Sequence, residues 1–325
     1  MSDYNAVVLL GPTAAGKTSL GVAIAAHYGW DIISADSRQV YKGLDLGSGK
    51  DIAEYQIEQT LSDGTVCKRN IPYHLIDIVT LDEEYNVYRF QKDFYDIFDD
   101  MTQRGTMPFV VGGTGMYIDS VVRSYNLVSV PENPELRAEL ESKDIDELAT
   151  MLRKLKPDTH TTTNFTIKER AVHAIESALF LASDEYKRRK AELDNARQIR
   201  PFVIGTTLER SLLRKNIEIR LKQRFDAGMI DEVRNLHEAG IAWSRLETLG
   251  LEYRWISLYL EGKVSSFDEL FDGLKHAIFQ FAKRQDTWFR GMEKKGVTIH
   301  WLPSIPNKQA KYDDALELID SNIMI

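Results

Sequence analysis

The residue pattern with the clearest chemical meaning lies close to the N-terminus. The stretch GPTAAGKT, from Gly11 to Thr18, has the spacing GxxxxGK[ST]. In such a loop the glycines let backbone N–H groups converge on phosphate oxygens, the lysine adds a positive charge, and the last hydroxyl can ligate Mg²⁺. We therefore predict a phosphate or diphosphate site, with Thr18 on the metal ion that shares it. The residues of this site are Gly11, Pro12, Thr13, Ala14, Ala15, Gly16, Lys17 and Thr18.

This loop does not by itself name a reaction, because ATPases, GTPases and kinases all use it. Those proteins usually add a hydrophobic strand that ends in an acid, which holds the metal ion through water. Here the apolar stretch at 108–111 runs into Gly112-Gly113-Thr114-Gly115 instead. The departure weakens an interpretation as an ATPase or a nucleotide switch.

An acidic residue comes earlier, in the stretch SADSRQVYKG from Ser34 to Gly43. Asp36 follows a short apolar stretch, at the place where open α/β sheets bind their ligands. Its carboxylate could cap the next helix, or it could face a substrate as a general base or a metal partner. Gln39, close behind, carries an amide that could read the edge of a nucleic-acid base.

The predicted elements follow one another in the order that such a site needs. The apolar run Ala6–Leu10 predicts a buried strand before the loop, and Lys17–His27 has helical spacing after it. Further strands are predicted at Asp31–Ala35, Tyr73–Val79, Pro108–Val111, Pro201–Gly205 and Val297–Leu302, and further helices at Glu84–Phe98, Arg210–Leu260 and Phe267–Arg290 and at the C-terminal end. Strands that alternate with helices predict an open parallel α/β sheet.

The texture of the sequence changes after Arg123. From Pro131 to Gln198 the chain is polar and helix-rich, with few strand signals. We predict an α/β core in residues 1–123, an all-helical insertion in residues 124–199, and a second part of the core with C-terminal helices in residues 200–325.

Composition limits the class of protein. The chain has 325 residues, a net charge of −8 and a single cysteine, Cys67. One cysteine builds neither a disulfide framework nor a structural zinc site, so we expect a buried or half-buried thiol. Apolar runs stay short of a membrane span and the N-terminus lacks a basic signal-like region, which favours a cytoplasmic protein.

Basic residues concentrate in two helical stretches in spite of this acidic balance. The first holds Arg210, Arg214, Lys215, Arg220, Lys222 and Arg224. The second holds Lys275, Lys283, Arg284 and Arg290, with Trp288 and Phe289 interleaved. Such an asymmetry fits a positive groove for nucleic acid, although either cluster taken singly is equally well explained as a solvated helix face.

Several segments together resemble the tRNA dimethylallyltransferases, also called tRNA isopentenyltransferases. They are GPTAAGKT, DIISADSRQVYKGLDLGSGK, PYHLIDI, FVVGGTGMY and FAKRQDTWFR, in this order between Val7 and Arg290. The combination of DSRQVY with GGTGMY is far more specific than the phosphate loop. The resemblance implies a P-loop NTPase-like α/β core with a helical insertion that contacts tRNA.

The resemblance also implies a reaction. A dimethylallyl group would pass from dimethylallyl diphosphate to the exocyclic amine of the adenosine that follows the anticodon on its 3′ side. The loop would then hold a diphosphate leaving group, with Mg²⁺ as cofactor, so that an ATP-binding label on the motif would mislead. Asp36 matches the family's catalytic aspartate and is the predicted general base. Thr114 matches a threonine that contacts the phosphates and the reacting nucleotide; a helix cap is its alternative role.

Contacts with tRNA are carried over in the same way. The matching residues are Asp36, Ser37, Arg38, Gln39, Thr114, Arg137, Arg170, Lys283, Arg284 and Gln285. The sequence departs from the family pattern at several places: the spacing before Arg137 is longer, His173 replaces a second arginine, Leu251 and Glu252 follow Gly250 where the family has Gly-Tyr, and Phe225–Val233 is shorter. The longer spacing weakens the match of Arg137 to the family's arginine. The replacement by His173 leaves open how many phosphate contacts its helix makes.

Three other functions are compatible with parts of the pattern. They are a nucleoside or small-molecule kinase on the same core, an enzyme that prenylates free adenine nucleotides, and a non-catalytic RNA-binding switch. Nothing in the sequence marks the ATP turnover or the adenine pocket that the first would need. The long insertion and the basic helices favour tRNA over the free nucleotide of the second, and no guanine-reading motif supports the third. With a single cysteine we do not expect the zinc-finger extension of eukaryotic relatives, which favours a bacterial-type enzyme. We also expect the enzyme to act as a monomer.

Overall fold

A six-stranded parallel sheet is the central element of the computed structural model, which describes residues 3–60, 65–125, 127, 130–131, 133–157, 168–193 and 198–323. Its strands are β1 (Ala6–Leu10), β2 (Ile32–Ala35), β5 (Tyr73–His74), β6 (Phe109–Gly112), β7 (Pro201–Gly205) and β8 (Ile299–Trp301). They lie in the order β5-β2-β6-β1-β7-β8, with every pairing parallel. The predicted class, a P-loop NTPase-like α/β core with a helical insertion, is confirmed.

Apolar side chains cover both faces of this sheet. Successive residues of a strand point to opposite faces, so β1 sends Val7 and Leu9 to one side and Val8 and Leu10 to the other. The first pair packs in an apolar cluster with α1 (Lys17–Tyr28) and α13 (Lys308–Asn322). The second pair packs in a larger cluster with the other core helices. All four side chains are buried, which explains why β1 has the continuous apolar run of a parallel-sheet strand.

The remaining core helices connect the strands. They are α2 (Val87–Gln103), α3 (Gly115–Val122), α8 (Arg210–Asp226), α9 (Met229–Glu238), α10 (Trp243–Leu246), α11 (Leu251–Leu260) and α12 (Phe267–Lys294). The stretch predicted as helical over 210–260 is thus a series of separate helices. One break lies at Gly228, whose φ of +95° belongs to the left-handed region that an α-helix excludes. The start of α2 is set by Asn86, whose side chain accepts a hydrogen bond from the backbone N–H of Arg89. None of the described helices is long and apolar enough to cross a membrane.

The third predicted strand is shorter than expected. Pairing in β5 ends at His74, whereas the prediction extended to Val79. Leu75 and Asp77 have φ angles of +62° and +55°, which are incompatible with an extended strand. The apolar alternation in the sequence therefore extends further along the chain than the strand itself.

An antiparallel hairpin was not predicted. It consists of β3 (Gln56–Thr60) and β4 (Val66–Asn70) and follows a 3₁₀ turn at Ile52–Tyr55. Cys67 lies on β4 and is half-buried, as predicted. Polar residues dominate both strands, so their pairing leaves little hydrophobic alternation to detect.

Residues 126–197 form a compact helical unit, separate from the unit made by residues 1–125 with 198–325. Its helices are α4 (Pro134–Glu141), α5 (Ile145–Leu155), α6 (Lys168–Ala182) and α7 (Asp184–Leu193). Leu140, Leu148, Leu152 and Ile175 form its small apolar core. A capping box of Asp144 and Glu147 fixes the beginning of α5.

Candidate functional site

The phosphate loop connects the end of β1 with the beginning of α1. Lys17 is the first residue of α1, and its Nζ donates a hydrogen bond to the carbonyl of Pro12 at 2.7 Å across the loop. Ala14 has a φ of +61°, so even a residue with a Cβ adopts a left-handed conformation here. Free N–H groups at the start of a helix, together with the helix dipole, favour an anion at this position.

The ammonium group of Lys17 has little access to solvent. Burial of its ammonium group lowers the pKa to about 8, and the nearby charge of Arg220 lowers the pKa further, while Asp36 and Asp286 oppose the shift. A phosphate that binds beside this ammonium group stabilises its charged form, because nearby acidic residues of the protein compensate the charge only in part.

Thr18 occupies the position from which a P-loop hydroxyl reaches a metal ion. It lies in the first turn of α1, and its hydroxyl has no hydrogen-bond partner among the described residues. No cluster of three or more acidic, histidine or cysteine side chains suited to a metal is found in those residues. This donor set suits Mg²⁺ bound to phosphate, because that ion takes most of its ligands from phosphate oxygens and water and few from protein.

Asp36 and Thr114 meet at the carboxyl edge of the sheet. The neighbouring strands β2 and β6 end in register, Ala35 opposite Gly112, so both chains enter their loops side by side. The hydroxyl of Thr114 accepts a hydrogen bond from the N–H of Ser37 at 3.0 Å, and it lies 3.4 Å from the Ser37 hydroxyl. Although Thr114 stands at the N-cap of α3, its side chain makes no capping bond, so the cap role considered for it is wrong.

The carboxylate of Asp36 closes its own turn with one oxygen. Oδ1 accepts a hydrogen bond from the N–H of Arg38 at 2.9 Å, whereas Oδ2 has no hydrogen-bond partner in the described part of the chain. No helix follows Asp36, so the helix-capping role considered for it is wrong; Oδ1 closes a turn instead, and the general-base role stays a prediction.

The turn of residues Asp36–Gln39, here called the DSRQ turn, is partly exposed, but the side-chain amide of Gln39 already makes hydrogen bonds. Its Oε1 accepts a hydrogen bond from the Ser34 hydroxyl, and its Nε2 donates to the carbonyl of Gly49, each at 3.2 Å. Each amide atom of Gln39 keeps one further hydrogen-bonding position, because the group has two N–H donors and two acceptor lone pairs. Ser37 and Arg38 lie at the same partly exposed edge.

The K-R-Q stretch on α12, residues 283–285, contains two exposed basic residues and one buried glutamine. Lys283 and Arg284 are exposed, and the Arg284 guanidinium lies 5.7 Å from the ring centroid of Phe281. Gln285, the next residue, is buried and faces the phosphate loop. The helix therefore carries a basic outer face and a polar inner contact.

The basic residues of α8 also divide into exposed ones and ones that face the protein, and this division was not predicted. Arg220 turns inward and donates hydrogen bonds to the Gly49 carbonyl and to Asp51. Arg224 lies 3.7 Å from Glu252, and burial lowers the pKa of Arg224 and raises that of Glu252. The i,i+4 spacing of the two arginines, next to the buried Leu221, was the available signal.

Two cavities adjoin the loop. A small one of about 20 Å³ is lined by Thr13, Ala14, Arg220, Arg224 and Glu252, among others. A larger one of about 960 Å³ lies beside Ala14–Gly16, and its walls mix apolar residues such as Leu20 and Leu208 with charged residues such as Asp51, Arg220 and Lys311. Its lining includes neither Asp36 nor Thr114.

Arg137 and Arg170 belong to the helical unit. Arg137 holds Glu176 through two hydrogen bonds of 2.9 and 2.8 Å, and these bonds lower the pKa of the Glu176 carboxyl. Arg170 is exposed on α6. His173, the replacement for the family's second arginine, is 71% exposed at its side chain and lies 3.9 Å from Glu176.

Comparisons with known proteins show which family this chain resembles. The family model described as IPP transferase matches residues 39–292. The chain is 48% identical over 308 residues to tRNA dimethylallyltransferase 2 of Treponema denticola, covering 93% of this chain and 97% of that protein. It is 49% identical over 299 residues to the protein of the same name from Syntrophotalea carbinolica, covering 92% and 94%.

Among solved structures, the full-length tRNA isopentenylpyrophosphate transferase of Bacillus halodurans superposes with a TM-score of 0.66 at 28% identity, covering 98% of each chain. The resemblance drawn from the five sequence segments is thereby confirmed over nearly the whole chain. The chain belongs to the IPP transferase family.

Proposed function

We propose that this protein is a tRNA dimethylallyltransferase. It transfers the dimethylallyl group of dimethylallyl diphosphate to the exocyclic amine of the adenosine that follows the anticodon on its 3′ side. The products are N6-isopentenyladenosine in the tRNA and free diphosphate. The observation that carries the proposal is the meeting of the phosphate loop, Asp36 and Thr114 at one edge of the sheet, in a chain of the IPP transferase family.

The donor binds with its diphosphate on the loop. Backbone N–H groups of the loop and Lys17 contact the phosphate oxygens, and Arg220 adds positive charge from α8. Thr18 would hold a Mg²⁺ ion, which would supply positive charge to the phosphates.

The reaction exchanges one bond to carbon for another. The bond between the allylic carbon and the bridging diphosphate oxygen breaks, and a bond from that carbon to the adenine nitrogen forms. Positive charge develops on the allyl group and negative charge on the departing diphosphate, which Lys17 and the loop N–H groups stabilise. The nitrogen transfers one proton to Oδ2 of Asp36, the carboxylate oxygen left outside the turn.

Thr114 assists the leaving group. Its hydroxyl oxygen accepts from the Ser37 N–H, so its own proton is directed elsewhere and faces only the 3.4 Å contact with the Ser37 hydroxyl. A donor in this position can turn to the bridging oxygen of the substrate and stabilise the charge that builds there.

The tRNA binds along the basic faces of an acidic protein. The adenosine leaves its stack to reach the sheet edge, where the DSRQ turn meets it. Lys283 and Arg284 on α12 contact phosphates, and the helical insertion, residues 124–199, adds Arg137 and Arg170. The enzyme works as a monomer in the cytoplasm.

The proposal is tested by incubating the enzyme with Mg²⁺, tRNA and dimethylallyl diphosphate labelled in its allyl group. Digestion of the tRNA to nucleosides should place the label in the adenosine beside the anticodon. Label only in free AMP would instead identify an enzyme that prenylates nucleotides. Release of phosphate from a nucleoside triphosphate, with unmodified tRNA, would identify a kinase or a switch.

A further inference from the structure

We infer that Gln285 is a positioning residue that holds the phosphate loop against the GGTG loop, and that it does not contact the tRNA. The inference rests on the proposed function, because it assigns a role within that site. It departs from the grouping of Gln285 with Lys283 and Arg284, which the K-R-Q motif had suggested.

The side-chain amide of Gln285 bridges two loops that are far apart in sequence. Its Oε1 accepts a hydrogen bond from the N–H of Thr13 at 2.8 Å. Its Nε2 donates a hydrogen bond to the carbonyl of Gly113, also at 2.8 Å. One rigid amide group thus fixes a peptide of the phosphate loop and the peptide that precedes Thr114.

The space around Gly113 shows how closely these parts converge. A Cβ placed on Gly113 would lie 2.6 Å from Nε2 of Gln285, 3.2 Å from the carbonyl oxygen of Gly11 and 3.4 Å from Nζ of Lys17. Any side chain at position 113 would therefore push Gln285 away. Glycine at this position allows α12, β6 and the phosphate loop to meet.

The position of Gln285 on α12 excludes an external role. Residues Ile278, Ala282, Gln285 and Phe289 form one buried stripe of the helix, and Gln285 is 7% exposed. Lys283 and Arg284 lie outside this stripe and are exposed. A buried amide costs free energy unless both of its polar atoms are paired, and both are paired here to the loops.

This arrangement has a consequence for the donor site. The N–H of Thr13 is already used by Gln285, so the diphosphate must bind to N–H groups further along the loop. Gln285 sets the orientation of the loop from which those groups point. Because α12 also carries the exposed Lys283 and Arg284, one helix fixes both the donor loop and the basic outer face.

The test compares two glutamines of the same helix. Gln285→Met keeps the approximate volume and removes both hydrogen bonds. Gln280→Met is the matched control, because among the described residues the side chain of Gln280 hydrogen-bonds to His276, at 3.3 Å, and to neither loop. Calorimetry measures binding of inorganic diphosphate with Mg²⁺, filter binding measures tRNA affinity, and thermal melting verifies folding.

We expect Gln285→Met to weaken diphosphate binding and the single-turnover rate by roughly tenfold or more, as misplacement of a binding loop does, with tRNA affinity unchanged. Gln280→Met should match the wild type in all three measurements. Weaker tRNA binding with unchanged diphosphate affinity would overturn the inference and restore the tRNA contact. Unchanged binding of both ligands would overturn it as well.

A second variant gives a readout that loss of packing cannot produce. In Gln285→Glu, the introduced carboxyl can make both hydrogen bonds only when it is protonated, because a carboxylate has no proton to donate to Gly113. The diphosphate affinity of this variant, relative to the wild type, should therefore improve as the pH falls from 8 to 5.5. A ratio independent of pH would contradict the two-bond role. The diphosphate comparison stands even if the wild type fails to prenylate tRNA, so failure of the proposed function is recognised separately.

Discussion

The hydroxyl of Thr114 lies 3.0 Å from the backbone nitrogen of Ser37 and accepts its hydrogen bond. This bond joins the loop after β6 to the loop after β2, next to Asp36. The backbone N–H of Thr114 also donates to the carbonyl of Ala35 at 3.1 Å. Asp36, the proposed general base, and the Thr114 hydroxyl, the proposed donor to the leaving group, are therefore held close together by the ends of two paired strands.

The role of this hydroxyl is tested by Thr114→Val, which keeps the shape and removes the oxygen. We expect the single-turnover rate to fall by about 10²-fold, the usual cost of removing a donor to developing negative charge. Thr114→Ser, which keeps the hydroxyl, should recover most of the rate. A Val variant with lower thermal stability and a normal rate would show that the hydroxyl only ties the two loops.

Asp36→Asn tests the general base without breaking the turn. The amide oxygen of asparagine can still accept the Arg38 N–H, so the loop should keep its conformation. Turnover should fall by about two to four powers of ten, the span expected for loss of a general base. The dissociation constant for dimethylallyl diphosphate should stay unchanged. A variant with wild-type turnover would remove Asp36 from this role.

The lowered pKa of Lys17, about 8, predicts a pH dependence of donor binding. Bound diphosphate stabilises the charged ammonium group and so raises the pKa of Lys17. At a pH between the pKa of the free enzyme and that of the complex, binding is therefore accompanied by uptake of a proton. The affinity should therefore be constant below pH 8 and decrease as the pH rises above it.

Calorimetry in buffers of different ionisation enthalpy, at pH 8.5, should detect this proton uptake. Lys17→Ala should bind diphosphate weakly and without the uptake, and should also react slowly. If the wild type showed no proton uptake, Lys17 would be charged already in the free enzyme.

The exposed residues Lys283 and Arg284 are predicted to contact tRNA phosphates. Each neutralised phosphate contributes to the salt dependence of binding, so Lys283→Ala and Arg284→Ala should each reduce the slope of log K against log salt by about one. Filter binding over a range of salt concentrations measures this slope. The diphosphate affinity of both variants should equal that of the wild type, which contrasts with Gln285→Met. An unchanged slope would place the tRNA on another surface.

Short continuous motifs carried most of the chemistry that could be predicted. A P-loop is built from adjacent residues between one strand and one helix, so a phosphate-binding role could be predicted from Gly11 to Thr18 alone. The alternation of apolar strands with helices also identified the parallel sheet. Predictions that relied on apolar alternation alone were less accurate at Tyr73–Val79, where positive φ angles end the strand.

The sequence by itself determined the fold class, the phosphate loop and the candidates Asp36 and Thr114, because each depends on residues that are neighbours along the chain. Only the tertiary structure decided that Gln285 faces Thr13 and Gly113, and that Arg220 turns inward while Lys283 faces outward. Residues of one motif on a helix point in different directions about its axis. Which direction is buried depends on what packs against the helix, and distant segments of the chain supply that packing.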